Sequence, residues 1–326
     1  MASSPVFVRK QQPSTRDVHT DRPLTNISIA YIQSQTQFVA GQVFPIVPVD
    51  RQSDKYYTFP KNDWLRDEAE RRGDSMESAG SGYTLSTSSY FADVWAIHKD
   101  IGHQVRANSD PGLDPDRAAT QFVTSRLLIR REVQWAADYF AASIWGTDLT
   151  PTNLWSDFSG ASDPINDVEV GKRTILSNTG YLPNTLVLGY QVWEKLRNHP
   201  DIIDRIKYTS AESVTTAILA RVFGIERVLI CQAIYATNIE GETAALAFIH
   251  GKHALLCYVN PNPGLMAPSA GYIFAWRGVS DMMGETIGVS RFYMQEKKCW
   301  RVEAEMAFDD VVVGSDLGYF FSGAVA

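Results

Sequence analysis

The sequence predicts a mixed α+β fold in two parts, and three observations carry that reading. One is a single long amphipathic helix over residues 115–145. Another is an alternation of short strands and helices between residues 185 and 259. The third is a set of alternating strand patterns, over residues 83–97 and 291–308, that lie outside that alternation.

The elements follow in chain order. Residues 1–23 are polar and mildly basic, with Arg9, Lys10, Arg16 and Arg22 against Asp17 and Asp21, and are interrupted by Pro5, Pro13 and Pro23. They read as an extended or partly ordered arm. Residues 24–50 mix short apolar stretches (Ile27, Ile29, Tyr31, Ile32) with polar ones and end in Val43-Phe44-Pro45-Ile46-Val47-Pro48-Val49. Pro45 and Pro48 exclude a helix and an internal strand there. The segment is expected to be extended and to lie on something apolar.

Residues 54–60 read as a strand, with residues 83–97 as its partner. Tyr83 and Leu85 alternate with Thr84 and Ser86, as in a ribbon with one apolar side. Tyr90 to Ile97 leave little polar face, so the base of the ribbon is expected to enter a core. Between the strands, Arg66 to Gly82 are rich in charge, Ser and Gly, with Asp63 placed to cap a short helix through Arg72. A projecting loop of this length points to function or to an interface. A two-stranded hairpin is marginal alone in water, so this one needs another surface.

At the long helix, Asp114 suits the N-cap and Pro115 the first helical position. Phe122, Ile129, Val133, Ala136, Phe140 and Ile144 recur at helical spacing; Leu127, Leu128, Trp135 and Tyr139 widen the stripe, and Gly146 ends it. At 1.5 Å per residue the helix would be roughly 45 Å long. Arg126, Arg130 and Arg131 are expected beside the stripe, pairing with acids such as Glu132 or covering it with their stems.

Residues 147–170 read as a loop. Thr185-Leu-Val-Leu188 then reads as a buried strand and Tyr190–Asn198 as a short helix stopped by Pro200. Thr209 or Ser210 caps a helix that runs to Phe223 and closes at Gly224. Val228–Cys231 is a strand, and residues 244–249 and 254–259 form a hairpin around His250-Gly-Lys-His253. In the last stretch Trp300, Val302, Ala304, Met306 and Phe308 face one way. With residues 291–295 they make a long hairpin, turning at Glu296-Lys297-Lys298, that could flank the long helix. Residues 309–326 read as one more strand.

Composition excludes several classes. The formal charge is −7, with 30 Lys and Arg against 37 Asp and Glu, the opposite of a basic nucleic-acid reader. Cys231, Cys257 and Cys299 are distant and odd in number, which disfavours a secreted disulfide scaffold. Arg9-Lys10 is followed by Gln11, Gln12 and Pro13 rather than by the apolar stretch of a signal peptide. No apolar run is long enough to span a membrane, and no repeat stands out.

Catalytic motifs are absent. His250, His253 and Cys257 come nearest to a metal cluster, but Gly251 and an expected turn separate the histidines and no further ligand is evident. Asp114-x-Asp116 is explained by a helix start. Gly80-Ser81-Gly82 lacks the context of a phosphate loop, and His98 and His103 have no identifiable partner. The reading is therefore no catalytic residue, no cofactor and no metal. A metal-dependent hydrolase using His250 and His253 is the reading from another class.

The order of these parts resembles the major capsid protein of tailed bacteriophages, the Hong Kong 97-type capsid fold. Phe44-Pro45-Ile46-Val47-Pro48-Val49 looks like that family's entry segment. Ala107 to Asp110 before Asp114-Pro-Asp-Arg-Ala-Ala-Thr120 is similar to the lead-in to its spine helix. Asn184 to Leu196 resembles the opening of its A-domain, and Pro268 to Trp276 a segment near that domain's end.

The resemblance implies an α+β chain with an N-terminal arm (1–50), an E-loop ribbon (51–90) and a P-domain (91–165) with spine helix 115–145. It further implies an A-domain (166–280), a P-domain β return (281–309) and a C-terminal strand (310–326) that returns to the A-domain. It implies no catalysis, and self-assembly of hexamers and pentamers into an icosahedral shell enclosing double-stranded DNA bound without sequence preference. Other implied partners are a portal protein, a separate scaffold protein and a cement or decoration protein, with no membrane. The place implied is the virion capsid, assembled in the bacterial host cytoplasm. Some members join subunits by a Lys–Asn bond; Lys55 and Lys61 lie in the ribbon, with no partner asparagine matched. Candidate inter-subunit contacts are Phe44, Ile46, Val47, Tyr57, Phe59, Trp64, Arg66, Glu68, Arg71, Tyr83 and Leu85. An encapsulin-like compartment that holds cargo is the alternative on the same fold.

Overall fold

Two five-stranded sheets organise the chain, one beneath the long helix and one inside a helical shell. The computed structural model describes residues 32–109, 114–207, 214–264, 266–279 and 287–326.

The first sheet is built on Cys299–Val312. Asp93–Gly102 pairs antiparallel along one side of it, while Gly288–Met294 and Gly271–Trp276 pair with its two halves on the other. Ile46–Val49 adds in parallel beside Gly271–Trp276, with Ile46 opposite Ile273. It is an edge strand, where Pro48 costs no ladder bond. Val302, Ala304, Met306 and Phe308 point into one core, as their alternation predicts.

The long helix, Pro115–Tyr139, packs on that core. Asp114 caps it, its Oδ1 accepting from the N–H of Asp116 and Arg117. The buried face runs Ala119, Val123, Leu127, Arg131, Trp135 and Tyr139 at four-residue steps, with Glu132 buried beside Arg131. This corrects the expected stripe, for Phe122 is exposed and carries Lys99 and Arg126 over its ring. The helix is apolar on more than one side, and contact with the sheet selects the side.

The helix also stops six residues before the expected Trp145. Phe140 caps it through the Ala136 carbonyl, and the chain turns back so that the Trp145 indole donates to the Tyr139 carbonyl at 2.7 Å. The indole then lies on Gly318, where a Cβ would fall 2.0 Å from the ring.

In the second sheet Thr147–Leu149, Gly318–Phe321, Ala254–Cys257, Thr185–Gly189 and Arg227–Cys231 lie side by side. Pro164–Thr179, Tyr190–Arg197, Pro200–Ile206 and Thr216–Phe223 pack around it in a second core. Three expectations are corrected here. Residues 164–170 belong to a helix rather than a loop; Asp163 caps it and Gly180, at φ 79°, closes it. Ala254–Cys257 has no hairpin partner in residues 244–249. It pairs with Thr185–Gly189 and Gly318–Phe321, while Leu246–Phe248 pairs with Ile234–Ala236. Thr209 and Ser210 lie outside the described residues, and the helix that follows begins at Thr216 with Thr215 as its cap.

Residues 309–312 complete the long strand rather than open a new one, so the final strand is only Gly318–Phe321. The expected strand over residues 83–97 is likewise two strands in different sheets. Ser86–Phe91 pairs with Ser53–Thr58 as the ribbon, Ala92 is fully buried, and Asp93–Gly102 joins the first sheet. Tyr90 and Ala92 take the ribbon's base into a core as expected, and beyond Ala92 the burial alternates, with Val94 and Ala96 exposed and Trp95 and Ile97 inward.

Candidate subunit interface

The ribbon is fixed at its root, touches the body again through Lys61 and Asp316, and is exposed over its tip. At the root, Tyr90 stacks on Phe274 at 4.6 Å between centroids and Tyr56 on the same ring at 5.6 Å. Gln52 and Ala92 bond each other twice, and the Phe91 N–H donates to Asp309 Oδ2 at 2.8 Å. Burial pushes the Asp309 carboxyl up, and this N–H opposes the shift. These contacts set the ribbon's direction of departure from the first sheet.

Further out, Phe59, Trp64 and Tyr83 form an aromatic cluster, with centroids 6.1 Å (Phe59–Trp64), 6.2 Å (Phe59–Tyr83) and 5.4 Å (Trp64–Tyr83) apart. Trp64 and Tyr83 remain 51% and 60% exposed, and Tyr57, Leu65 and Leu85 are exposed beside them. Asp63 does not cap a helix through Arg72. The helix is only Lys61–Trp64, and Asp63 Oδ2 accepts from Thr84 N at 2.8 Å and Thr84 Oγ1 at 2.7 Å, closing the ribbon across its width. Those bonds hold its carboxyl below the usual range.

Beyond this clamp residues 66–82 are exposed throughout and form no strand or helix. Glu68 accepts from Ser81 and pairs with Arg66 at 3.4 Å. Arg71 is exposed. Lys61 is ion-paired with Asp316, and Lys55 is exposed on the ribbon.

One of the candidate contacts falls inside its own chain. Phe44 is 1% exposed, its ring 4.5 Å from that of Tyr139 and 6.3 Å from those of Trp135 and Trp145. It is a core residue and leaves the interface list. Ile46 and Val47 are half-buried against their own chain. The segment does lie on an apolar surface, but the surface is intramolecular.

Sequence reasoning missed the anchor of the arm. Glu132, fully buried on the long helix, accepts from Val39 N at 2.9 Å and Ala40 N at 2.9 Å. It thereby satisfies the first donors of the turn Ala40–Val43. Desolvation raises its carboxyl to about 7. Gln33 adds a second anchor, donating to the Ile234 carbonyl at 2.6 Å and accepting from its N–H at 3.0 Å. A glutamate within an apolar helical stripe was the one available signal.

The residues considered for chemistry are dispersed. His250 is buried against Trp135 and Phe140, and burial alone lowers it to about 3. His253 accepts from Gly323 N, and Cys257 sits inside a strand with its thiol raised to about 12. Asp116 pairs with Arg106 and Arg291. Among the described residues no group of three or more His, Cys, Asp or Glu is placed to hold a metal, and no helix is long and apolar enough to cross a membrane.

Asp310 supplies a pH test of the core around the long helix. Desolvation raises its carboxyl from 3.8 to about 8. The folded chain therefore holds this proton more tightly than the unfolded chain. The resulting stability is complete below about pH 4 and is lost as pH rises through about 8. Asp310→Asn should gain stability relative to the native chain as pH goes from about 5 to about 9, as read by urea unfolding of unassembled protein. A pH-independent difference would contradict this.

The arrangement of arm, ribbon, sheet with long helix, and compact second sheet is the Hong Kong 97-type phage capsid fold. No family model matches the chain. It is similar to the major capsid protein of Burkholderia phage BcepMu, 27% identical over 311 residues that cover 93% of this chain and 96% of the relative. It is also similar to that of Pseudomonas phage JBD67, 26% identical and covering 94% and 97%. Among solved structures, a phage-related protein from Bordetella bronchiseptica has a TM-score of 0.67 at 23% identity, covering 90% of this chain and 94% of that one. The capsid of cyanophage P-SCSP1u has a TM-score of 0.62 at 10% identity, covering both chains fully. An encapsulin of Synechococcus elongatus has a TM-score of 0.57 at 11% identity, covering 93% of each.

Proposed function

We propose that the chain is the major capsid protein of a tailed double-stranded DNA phage, assembling as hexamers and pentamers into an icosahedral shell. The observation that carries this is the ribbon. Its root is locked to the body and Lys61 reaches Asp316, yet Trp64, Tyr83 and the whole tip stay exposed on their own chain. A second copy supplies the surface that covers them, and closed symmetry repeats the contact until no ribbon is left uncovered. Tyr57, Phe59, Trp64, Arg66, Glu68, Arg71, Tyr83 and Leu85 are the contacts this assigns.

The chain's acidity suits a container for DNA, since a strongly basic lining would trap the polymer's phosphates during packaging. The reading gives the chain no catalytic step. It adds a portal protein, a separate scaffold protein and a cement or decoration protein as partners, with assembly in the host cytoplasm. An encapsulin-like compartment is the second reading, favoured by the shared fold; the sequence relatives, both phage proteins, favour the first.

Electron microscopy of the chain expressed alone and with its scaffold tests the proposal. Capsomers or shells are expected, and protein that stays monomeric in both contradicts it. Nuclease-resistant DNA in native particles separates the two readings, since a cargo compartment would lack it.

A further inference from the structure

The small hairpin of Ile234–Ala236 and Leu246–Phe248 has one edge that is only half covered. It is a two-stranded sheet of three residues a strand, joined to no other sheet among the described residues. Such a pair is marginal alone in water and gains from a third strand. The ladder shows which groups are open. Ile249 N donates to the Ala233 carbonyl and Thr237 N to the Ala245 carbonyl, so the odd-numbered residues from Ala233 to Thr237 turn their peptide groups towards the partner strand. Ile234 and Ala236 therefore turn theirs outwards. Gln33 meets the first of them. Its carboxamide donates to the Ile234 carbonyl and accepts from the Ile234 N–H, as the peptide of a neighbouring strand would. The outward N–H and carbonyl of Ala236 take no bond from the described residues.

The arm already runs towards this edge. Arg227 donates to the carbonyls of Gln42 and Val43 at 3.0 and 3.1 Å, and Gln33 is seated on Ile234. Moving back along the arm from Val43 to Gln33 thus moves forward from Arg227 to Ile234, the sense of an antiparallel neighbour. Two more residues of extended chain, about 7 Å, would lead from Gln33 to Tyr31 and equal the step from Ile234 to Ala236. The sequence there suits a strand, for Ile27, Ile29 and Tyr31 alternate with Ser28 and Ala30. The hairpin's side chains agree. Ala236 stands opposite Leu246 and both are exposed, Leu246 at 64%. On the same face Phe248 is stacked on Tyr190 at 5.5 Å, so Leu246 is the uncovered end of an apolar strip. Paired residues share a face, and a ring at position 31 would lie across Ala236 towards Leu246.

We propose that this edge receives the arm of its own chain as a third strand, antiparallel to Ile234–Ala236, with Tyr31 exchanging both peptide hydrogen bonds with Ala236. The outward peptide groups of the hairpin are then satisfied along its length, and the edge no longer offers a template to other chains. The arm gains a third fastening beyond Glu132 on the long helix and Arg227 on the second sheet. The contact lies within one chain and does not depend on the shell reading.

Amide hydrogen exchange of the full, unassembled chain tests it. The Ala236 N–H should be protected in the native chain, and Tyr31→Pro should speed its exchange by roughly tenfold or more, the worth of one hydrogen bond. Proline removes the N–H of residue 31 and sets its ring against the Ala236 carbonyl. Ala30→Pro should leave the Ala236 N–H as it is, because in this register the N–H of residue 30 faces away from the hairpin, where an edge strand tolerates proline. Both substitutions fall in the arm and spare the two cores. A native Ala236 N–H that exchanges as fast as an open amide would overturn the proposal. So would a Tyr31→Pro chain that keeps the protection, or equal losses in the two proline variants. Protection that arises only on assembly would overturn it as well, since the added strand would then come from another subunit.

Discussion

Phe44→Ala is expected to remove about 3–5 kcal/mol from the stability of the unassembled chain, the range for deleting a fully buried large aromatic. The ring is enclosed by Trp135, Tyr139 and Trp145 and touches the turn of chain that ends the long helix. The surrounding rings are too large and too constrained by one another to collapse into the space left. They belong to the core shared by the helix and the first sheet, so the loss should appear in the whole unfolding transition rather than as fraying of the arm. Urea unfolding of the monomer checks this. A loss well under about 1 kcal/mol, together with a failure to assemble, would return Phe44 to the role of a contact between subunits.

Deleting residues 66–82 and closing the ribbon with a short turn should abolish closed shells while leaving the body folded. Every residue removed is exposed, and no strand or helix of the body loses a partner. The Asp63–Thr84 clamp and the stacking of Tyr56 and Tyr90 on Phe274 lie outside the deletion. The circular dichroism spectrum and unfolding midpoint should therefore stay near those of the intact chain. In the shell the effect is multiplied, since each subunit loses a contact with a neighbour and closure depends on all of them. Normal shells from the deleted chain would remove the ribbon from the assembly account.

The parts legible in the sequence were those encoded locally. Asp114 and Pro115 announced the start of the long helix, Gly224 the end of a later one, and the alternation from Val302 to Phe308 a strand with one buried face. Each needs only neighbours along the chain. Contacts between distant segments decided the rest. The long helix is apolar on two sides, and only the sheet beneath it chooses Val123 over Phe122. Ala92 carries no breaker, yet the chain changes sheets there because Asp93–Gly102 finds a partner some two hundred positions away in Cys299–Val312.

The helix Pro164–Thr179 did carry its signals, with Asp163 before Pro164 and Gly180 after Thr179, but polar residues between them thin its apolar pattern. At the interface, Trp64, Tyr83 and Leu85 were legible because large apolar residues stand out in a polar ribbon. Phe44 misled for the opposite reason: an apolar residue between an arm and a ribbon has the same appearance whether its own core or a neighbour covers it. Glu132 showed only as an acid within an apolar stripe, and Arg131 beside it resembled half of an ordinary surface pair.

The most direct measurement is electron cryo-microscopy of the particles formed by the intact chain. A closed shell is expected, in which the ribbon of each subunit crosses to another and Trp64 and Tyr83 are covered by that neighbour. A solitary subunit whose ribbon folds back onto its own two sheets, hiding the same rings, would contradict it.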